Sequence, residues 1–273
     1  MKSLFAALTT VLICIATPPA ALATKLKPET LKAWDTYVQL TEKRIDAELA
    51  STSGFLWTDS LKPSEASTIK GTIKKGQVYV RKLNTPGNDG REIKVDDGMI
   101  HHWFGTIFVP DVKLPVLLTW IQNYDDHHRF FKEVEGSKLL SRDGNTFKIF
   151  LRFVRKKVVT VHYNTEHTAI YRPHRDGLES SRSFTTKIAE IQNAGTDKET
   201  ERPIGDDSGY LWRLNSYWRF REQDGGVVIE CESLSLSRSI PFGMGWLIKG
   251  FVESLPQESL ESTLVSIRDG IHK

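Results

Sequence analysis

Gly105-Thr-Ile-Phe-Val-Pro-Asp-Val-Lys-Leu-Pro-Val-Leu-Leu-Thr-Trp-Ile-Gln-Asn-Tyr-Asp-Asp-His-His-Arg-Phe-Phe131 changes its period in the middle. Up to Val109 the chain is rich in β-branched and aromatic residues, and with the residues from Met99 it reads as one strand. Pro115 then falls in the first turn of a helix, where a missing N–H removes no bond. Leu117, Leu118, Ile121 and Tyr124 follow on one face of that helix.

Downstream, the period of two returns and persists. Ser137–Leu140, Thr146–Val154, Val158–Ile170, Arg182–Ile191, Leu211–Arg221 and Val227–Leu236 are expected strands, with Asp143-Gly144 and Asp224-Gly225 as hairpin turns. Between Asn193 and Gly209 the chain is polar and aperiodic, a long mobile loop or, alternatively, a lid. After Pro241 a helical pattern takes over, interrupted at Pro256, with Leu260, Leu264, Ile267 and Ile271 in a narrow apolar stripe. Upstream, Leu31, Trp34, Val38, Ile45 and Leu49 recur at helical spacing between Pro28 and Leu49. The stretch from Ser51 to Arg91, with one short strand at Gln77 to Val80, reads as a loose connection.

Met1, Lys2 and Ser3, the apolar run Leu4–Ala16 and the sequence Ala21-Leu22-Ala23 form the three parts of a cleavable secretory signal. The apolar run is too short to span a bilayer, which takes about 20 residues. Residues 1–23 are therefore expected to be removed, Cys14 with them, leaving a soluble periplasmic or secreted product. Cys231 then has no intramolecular partner, so stability rests on a hydrophobic core rather than a disulfide. A net charge of +3 over 273 residues, with bases scattered among acids, gives no reason to expect nucleic acid. One basic run, Arg155-Lys156-Lys157, reads as a solvated hairpin turn, with transient contact to an anionic membrane surface as the alternative.

The order strand, short helix, long antiparallel meander and terminal amphipathic helix resembles the START-like (SRPBCC) helix-grip superfamily. Tyr124-Asp125, Phe130-Phe131 and Ser137-Lys-Leu-Leu-Ser-Arg-Asp-Gly144 fill positions typical of that group. The resemblance covers about residues 99–273 and leaves 24–98 as an N-terminal extension of helix and linker. It implies an α+β fold in which a curved antiparallel sheet grips the long C-terminal helix. An apolar cavity between them would hold a lipid, sterol, quinone or polyketide, and no catalytic group is implied.

The Asp224-Gly225 turn pairs residues whose numbers sum to 449, so Trp218 opposes Cys231, Ser216 opposes Ser233 and Arg219 opposes Glu230. One face of that ribbon carries Trp212, Leu214, Ser216, Trp218 and Phe220 against Ile229, Cys231, Ser233 and Ser235. Arg213, Arg219, Glu230 and Glu232 lie on the other, which is expected to face water. By the same reasoning Leu140 groups with Phe147, Ile149, Leu151 and Phe153. Trp212, Leu214, Trp218, Phe220, Phe147, Ile149, Leu151 and Phe153 are thus the candidate ligand-binding residues, and plain core packing is the competing role for each.

Seven of the eight histidines lie between His101 and His174. His162 and His167 are one residue too far apart for the helical H-x-x-E-H zinc motif, and on a strand they face opposite ways, so no metal is expected. His101-His102 and His127-His128 are adjacent and diverge. No G-x-S-x-G, G-x-x-x-x-G-K or G-x-G-x-x-G occurs, which leaves a nucleophile elbow, ATP and NAD without their motifs and predicts no cofactor. Glu166 and His167 are the pair to test for acid–base chemistry, since alternation turns one of them inward. The leading expectation is an exported carrier or sensor of a hydrophobic small molecule such as a lipid. A cyclase- or hydrolase-like enzyme in the same cavity and a cavity-free interaction module that uses the N-terminal helix are the alternatives.

Overall fold

The computed structural model describes residues 24–52, 54–156, 160–175, 177–239 and 245–273. The expected signal, residues 1–23, and Lys157 of the basic run lie outside them. Strands β1 (Thr24–Lys25), β2 (Tyr79–Lys82), β3 (Gly98–Pro110), β4 (Val134–Asp143), β5 (Thr146–Lys156), β6 (Thr160–Pro173), β7 (Leu178–Gln192), β8 (Thr200–Glu201), β9 (Asp206–Asp207), β10 (Arg213–Gln223) and β11 (Gly226–Arg238) alternate with five helices. These are α1 (Pro28–Ala50), α2 (Pro63–Lys74), α3 (Leu114–Ile121), α4 (His127–Phe130) and α5 (Gly245–Gly270).

One antiparallel sheet runs β2-β3-β11-β10-β7-β6-β5-β4, with β8 beside β7. The meander is the expected one, and Trp218 does oppose Cys231. Asp224 and Gly225 have φ of 53° and 78°, the pair of positive values that a two-residue hairpin turn of matching twist requires. The sheet's inner face packs against α5 through Leu260, Leu264 and Ile267, which meet Ile107, Val109, Phe220, Ile229 and Cys231. Gly105 makes this approach possible, since a Cβ there would stand 2.7 Å from Leu264 Cδ1.

The outer face is covered by the N-terminal segment. Trp34, Tyr37 and Ile45 of α1 pack on Trp212, Tyr217, Leu234 and Leu236. Phe55, Leu56, Ile69 and Ile73 pack on Leu178 and Val228. The stretch from Ser51 to Arg91 is thus no loose connection: it holds a 3₁₀ turn (Trp57–Ser60), α2 and the edge strand β2. Ser-, Thr- and Lys-rich composition hid α2 because only Ile69 and Ile73 of it are buried. The buried face of α1 is Thr30, Trp34, Tyr37, Thr41 and Ile45, rotated from the expected stripe. That face is engaged within the chain, which removes it as the docking surface of an interaction module.

Three local expectations are corrected. Leu140 sits at a register shift between Leu139 and Ser141, so Leu139 opposes Ile149 and Leu140 is 47% exposed. Arg155 is not a solvated turn residue, because it pairs with Glu133 and donates to the Leu255 carbonyl of α5 at 3.0 Å. The polar stretch after Asn193 contains β8 and β9, and β9 pairs with β1.

Candidate functional site: the inner face of the sheet

Strand alternation sets the inner face. Across the central strands it reads Trp103, Ser233, Ser216, Ser183, Ala169 and Phe147 in one row, because each opposes the next. The adjacent row is His101, Ser235, Leu214, Thr185, His167 and Ile149. Leu214 and Thr185 are joined there by a bond from the Leu214 N–H to Thr185 Oγ1 at 3.2 Å, and the other neighbours are strand partners.

The candidate residues divide into two groups. Phe220, Phe147 and Ile149 are 1%, 1% and 2% exposed and fill the core. Phe147 and Ile149 close one end of the face with Tyr124, Ala169 and Tyr171. Leu214, Trp218, Leu151 and Phe153 are half-buried, as are Trp103, Ser183, Thr185, Ser216 and Ser233. Together they form the partly open strip of the face, a trough in side-chain size, with small hydroxyl side chains in the middle and aromatic and aliphatic ones around them. Trp218 is fixed by a bond from its Nε1 to Ser216 Oγ at 2.9 Å. Trp212 is not part of it: it lies on the outer face in the α1 cluster, and its Nε1 donates to Asp207 at 3.0 Å. Alternation fails there because Trp212 precedes the first paired residue of β10.

Of the pair Glu166 and His167, only His167 faces inward. The two lie on opposite faces of β6, so they cannot act on one bound molecule together. His167 is buried beside Phe153, bonded through Nε2 to Thr165 Oγ1 at 2.9 Å, and burial pushes its pKa down to about 4. His101 is buried on the inner face with Nε2 3.0 Å from Ser237 Oγ, whereas His102 faces outward. Cys231 is buried in the core, and burial pushes its thiol up.

The outer face of β10 and β11 departs most from expectation. Arg219, Glu230 and Glu232 are 3%, 1% and 3% exposed rather than in water. The covering segment supplies what their burial requires. Glu232 accepts from Arg44 Nη2 at 2.5 Å and from His102 Nε2 at 3.0 Å, and Arg219 donates to Glu48 at 2.5 Å and to the Phe55 carbonyl at 3.2 Å. Glu230 accepts from the backbone N–H groups of Trp57 and Thr58 and from Thr58 Oγ1. The Thr85 N–H donates to Tyr37 Oη at 2.8 Å, so Tyr37 donates to His102 Nδ1 at 3.0 Å and the His102 proton sits on Nε2. Although burial opposes it, His102 and Arg44 hold Glu232 down at about 2. For Glu230 burial prevails and raises it to about 7.

Sequence reasoning missed Trp103, Ser183 and Thr185 as trough residues. Ser216 and Ser233 followed from the 449 register, but Ser183 and Trp103 reach them only through the pairings of β7 with β10 and of β3 with β11. No turn signal specifies those pairings.

No family model and no curated protein matches this sequence. Among solved structures, a STAR-related lipid transfer protein from Xanthomonas axonopodis is similar at 14% identity, with 66% of this chain and 96% of that one covered and a TM-score of 0.45. The human StarD13 lipid transfer and protein localization domain is similar at 10% identity, over 77% of this chain and 98% of its own, with a TM-score of 0.42. An aromatase/cyclase from Streptomyces sp. R1128 gives 11% identity, 64% and 94% coverage and a TM-score of 0.42. What the inner face can bind is therefore read from this chain's own side chains. Its topology, an antiparallel sheet with a long C-terminal helix packed on the inner face, is that of a helix-grip fold.

Proposed function

We propose that the protein binds a hydrophobic small molecule in the inner-face trough and acts as a carrier or sensor rather than as a catalyst. The observation behind this reading is the interruption in packing. Trp103, Leu151, Phe153, Leu214 and Trp218 are half-buried in the middle of a face whose flanks, at Phe147, Ile149, Phe220 and Ile229, are fully buried. Large apolar side chains left partly open around small hydroxyl ones are the kind of lining that a small-molecule site has. The split of Glu166 from His167 across the sheet weighs against the enzyme reading. We also propose export, on the N-terminal signal pattern.

Native mass spectrometry of the full chain, purified without detergent from its own compartment, tests both points. A discrete apolar adduct, absent from Ser216→Trp, is expected, together with an N-terminus near Thr24. A chain that is repeatedly empty and binds nothing from a lipid panel would overturn the binding reading. An N-terminus at Met1 in the exported fraction would overturn the cleavage.

A further inference from the structure

The inner face of β6 carries a polar function that the protein leaves open. Thr165 Oγ1 has one proton, and it is donated to the Leu151 carbonyl at 2.8 Å. The contact of 2.9 Å between Thr165 Oγ1 and His167 Nε2 must then have the ring N–H as its donor. A neutral ring protonated on Nε2 presents a lone pair on Nδ1, which is an acceptor. His167 is only 6% exposed, and among the described residues nothing donates to that atom. Among the trough residues Trp103 Nε1 is a buried donor with no partner among the described residues, so the face offers both an open acceptor at His167 and an open donor at Trp103 to a molecule from outside the chain.

We infer that His167 Nδ1 receives a hydroxyl proton donor from the bound molecule, so the ligand class is an apolar compound bearing an uncharged hydroxyl group. This rests on the trough being the binding site. His167 lies beside Thr185, which is bonded to Leu214, and it touches Phe153, so the acceptor stands among the half-buried trough residues. Charge argues against an anionic head. The strands carry three cations on this face: Arg155 is taken by Glu133 and Glu258, Arg142 donates to the Gly144 carbonyl and lies over the Phe147 ring, and Lys82, opposite Trp103, is exposed on the edge strand β2. A carboxylate would lose its water beside His167, where burial keeps the ring uncharged, and it has no proton to give to Nδ1 at neutral pH. A hydroxyl gives its proton to His167 and can accept from the serines of the trough.

The test measures binding to the full chain of a long-chain alcohol, its methyl ether and the matching carboxylate, by displacement of an anilinonaphthalene dye at neutral pH. The alcohol is expected to bind about tenfold more tightly than the ether, the size of effect given by one buried hydrogen bond that the ether leaves unmade. The carboxylate should be weaker than the alcohol by at least as much. His167→Phe, which keeps an aromatic ring and removes the acceptor, should bring alcohol and ether level, and His167→Gln should restore part of the preference. If that variant does not fold, the ratio in the natural chain decides alone. Equal affinity for alcohol and ether, or preference for the carboxylate, would overturn the hydroxyl inference and leave the trough standing. Failure of all three to displace the dye would overturn the trough reading and this inference with it.

Discussion

Glu232 offers the sharpest quantitative test of how the N-terminal segment is held. Glu232→Gln keeps the shape and one acceptor but removes the charge that Arg44, His102 and Arg219 surround. The carboxyl of Glu232 is held down from 4.5 to about 2. At about 1.4 kcal/mol per tenfold, that corresponds to about 3 kcal/mol of stability at neutral pH. Loss of one partner from a buried ion pair leads independently to about 3–5 kcal/mol. The lower figure is favoured, since Arg44 and Arg219 both retain Glu48. Urea unfolding followed by circular dichroism at neutral pH should therefore show a deficit of about 3 kcal/mol, or about 6–12 °C in Tm. The sign with pH is fixed by the lowered value. This stability is present above 4.5 and lost as pH falls through 2, so the gap between natural chain and variant should be about 1.4 kcal/mol smaller by about pH 3.5. A deficit below about 1 kcal/mol at neutral pH, or a gap that does not narrow on acidification, would refute the account of a sealed outer face.

Glu230 titrates in the opposite sense. Its carboxyl is raised to about 7, so its contribution is present below 4.5 and lost as pH rises through 7. Glu230→Gln should gain on the natural chain between those values, as read from urea midpoints across that range; a constant difference would contradict the assignment. Leu264→Ala, at a fully buried position under Gly105, should cost about 2–5 kcal/mol by the same assay, and a loss below about 1 kcal/mol would show that α5 does not pack as described. Gly226→Ala would set a Cβ against the Val109 carbonyl oxygen across the strand pair and should cost at least about 2 kcal/mol, with a neutral result excluding that register.

The order of the main strands, the 449 register and the separation of His101 from His102 were legible because each depends on neighbours in sequence: a turn dipeptide, a period of two, an alternation. What stayed hidden depends on distance along the chain. Arg219, Glu230 and Glu232 look like the wet side of a ribbon, and nothing local says otherwise, since Arg44 lies 188 residues from Glu232. The Leu140 register shift was invisible because a hydrophobic pattern cannot count an unpaired residue. Half of the trough was readable from one hairpin. The open acceptor on His167 was not, because it follows from which carbonyl the Thr165 proton chooses.

The charged interface between α1 and the sheet also governs the order in which this chain can fold. Arg44 and Glu48 are made early, whereas Arg219 and Glu232 arrive 171 and 188 residues later, among the last strands. Closing so long a loop is slow, and the partly built sheet must wait with that face uncovered. Uncovered apolar faces are the surfaces through which folding intermediates associate. Here the waiting face carries carboxylates and guanidinium groups that are at home in water until α1 arrives, so the residues that seal the finished interface also keep its precursor soluble.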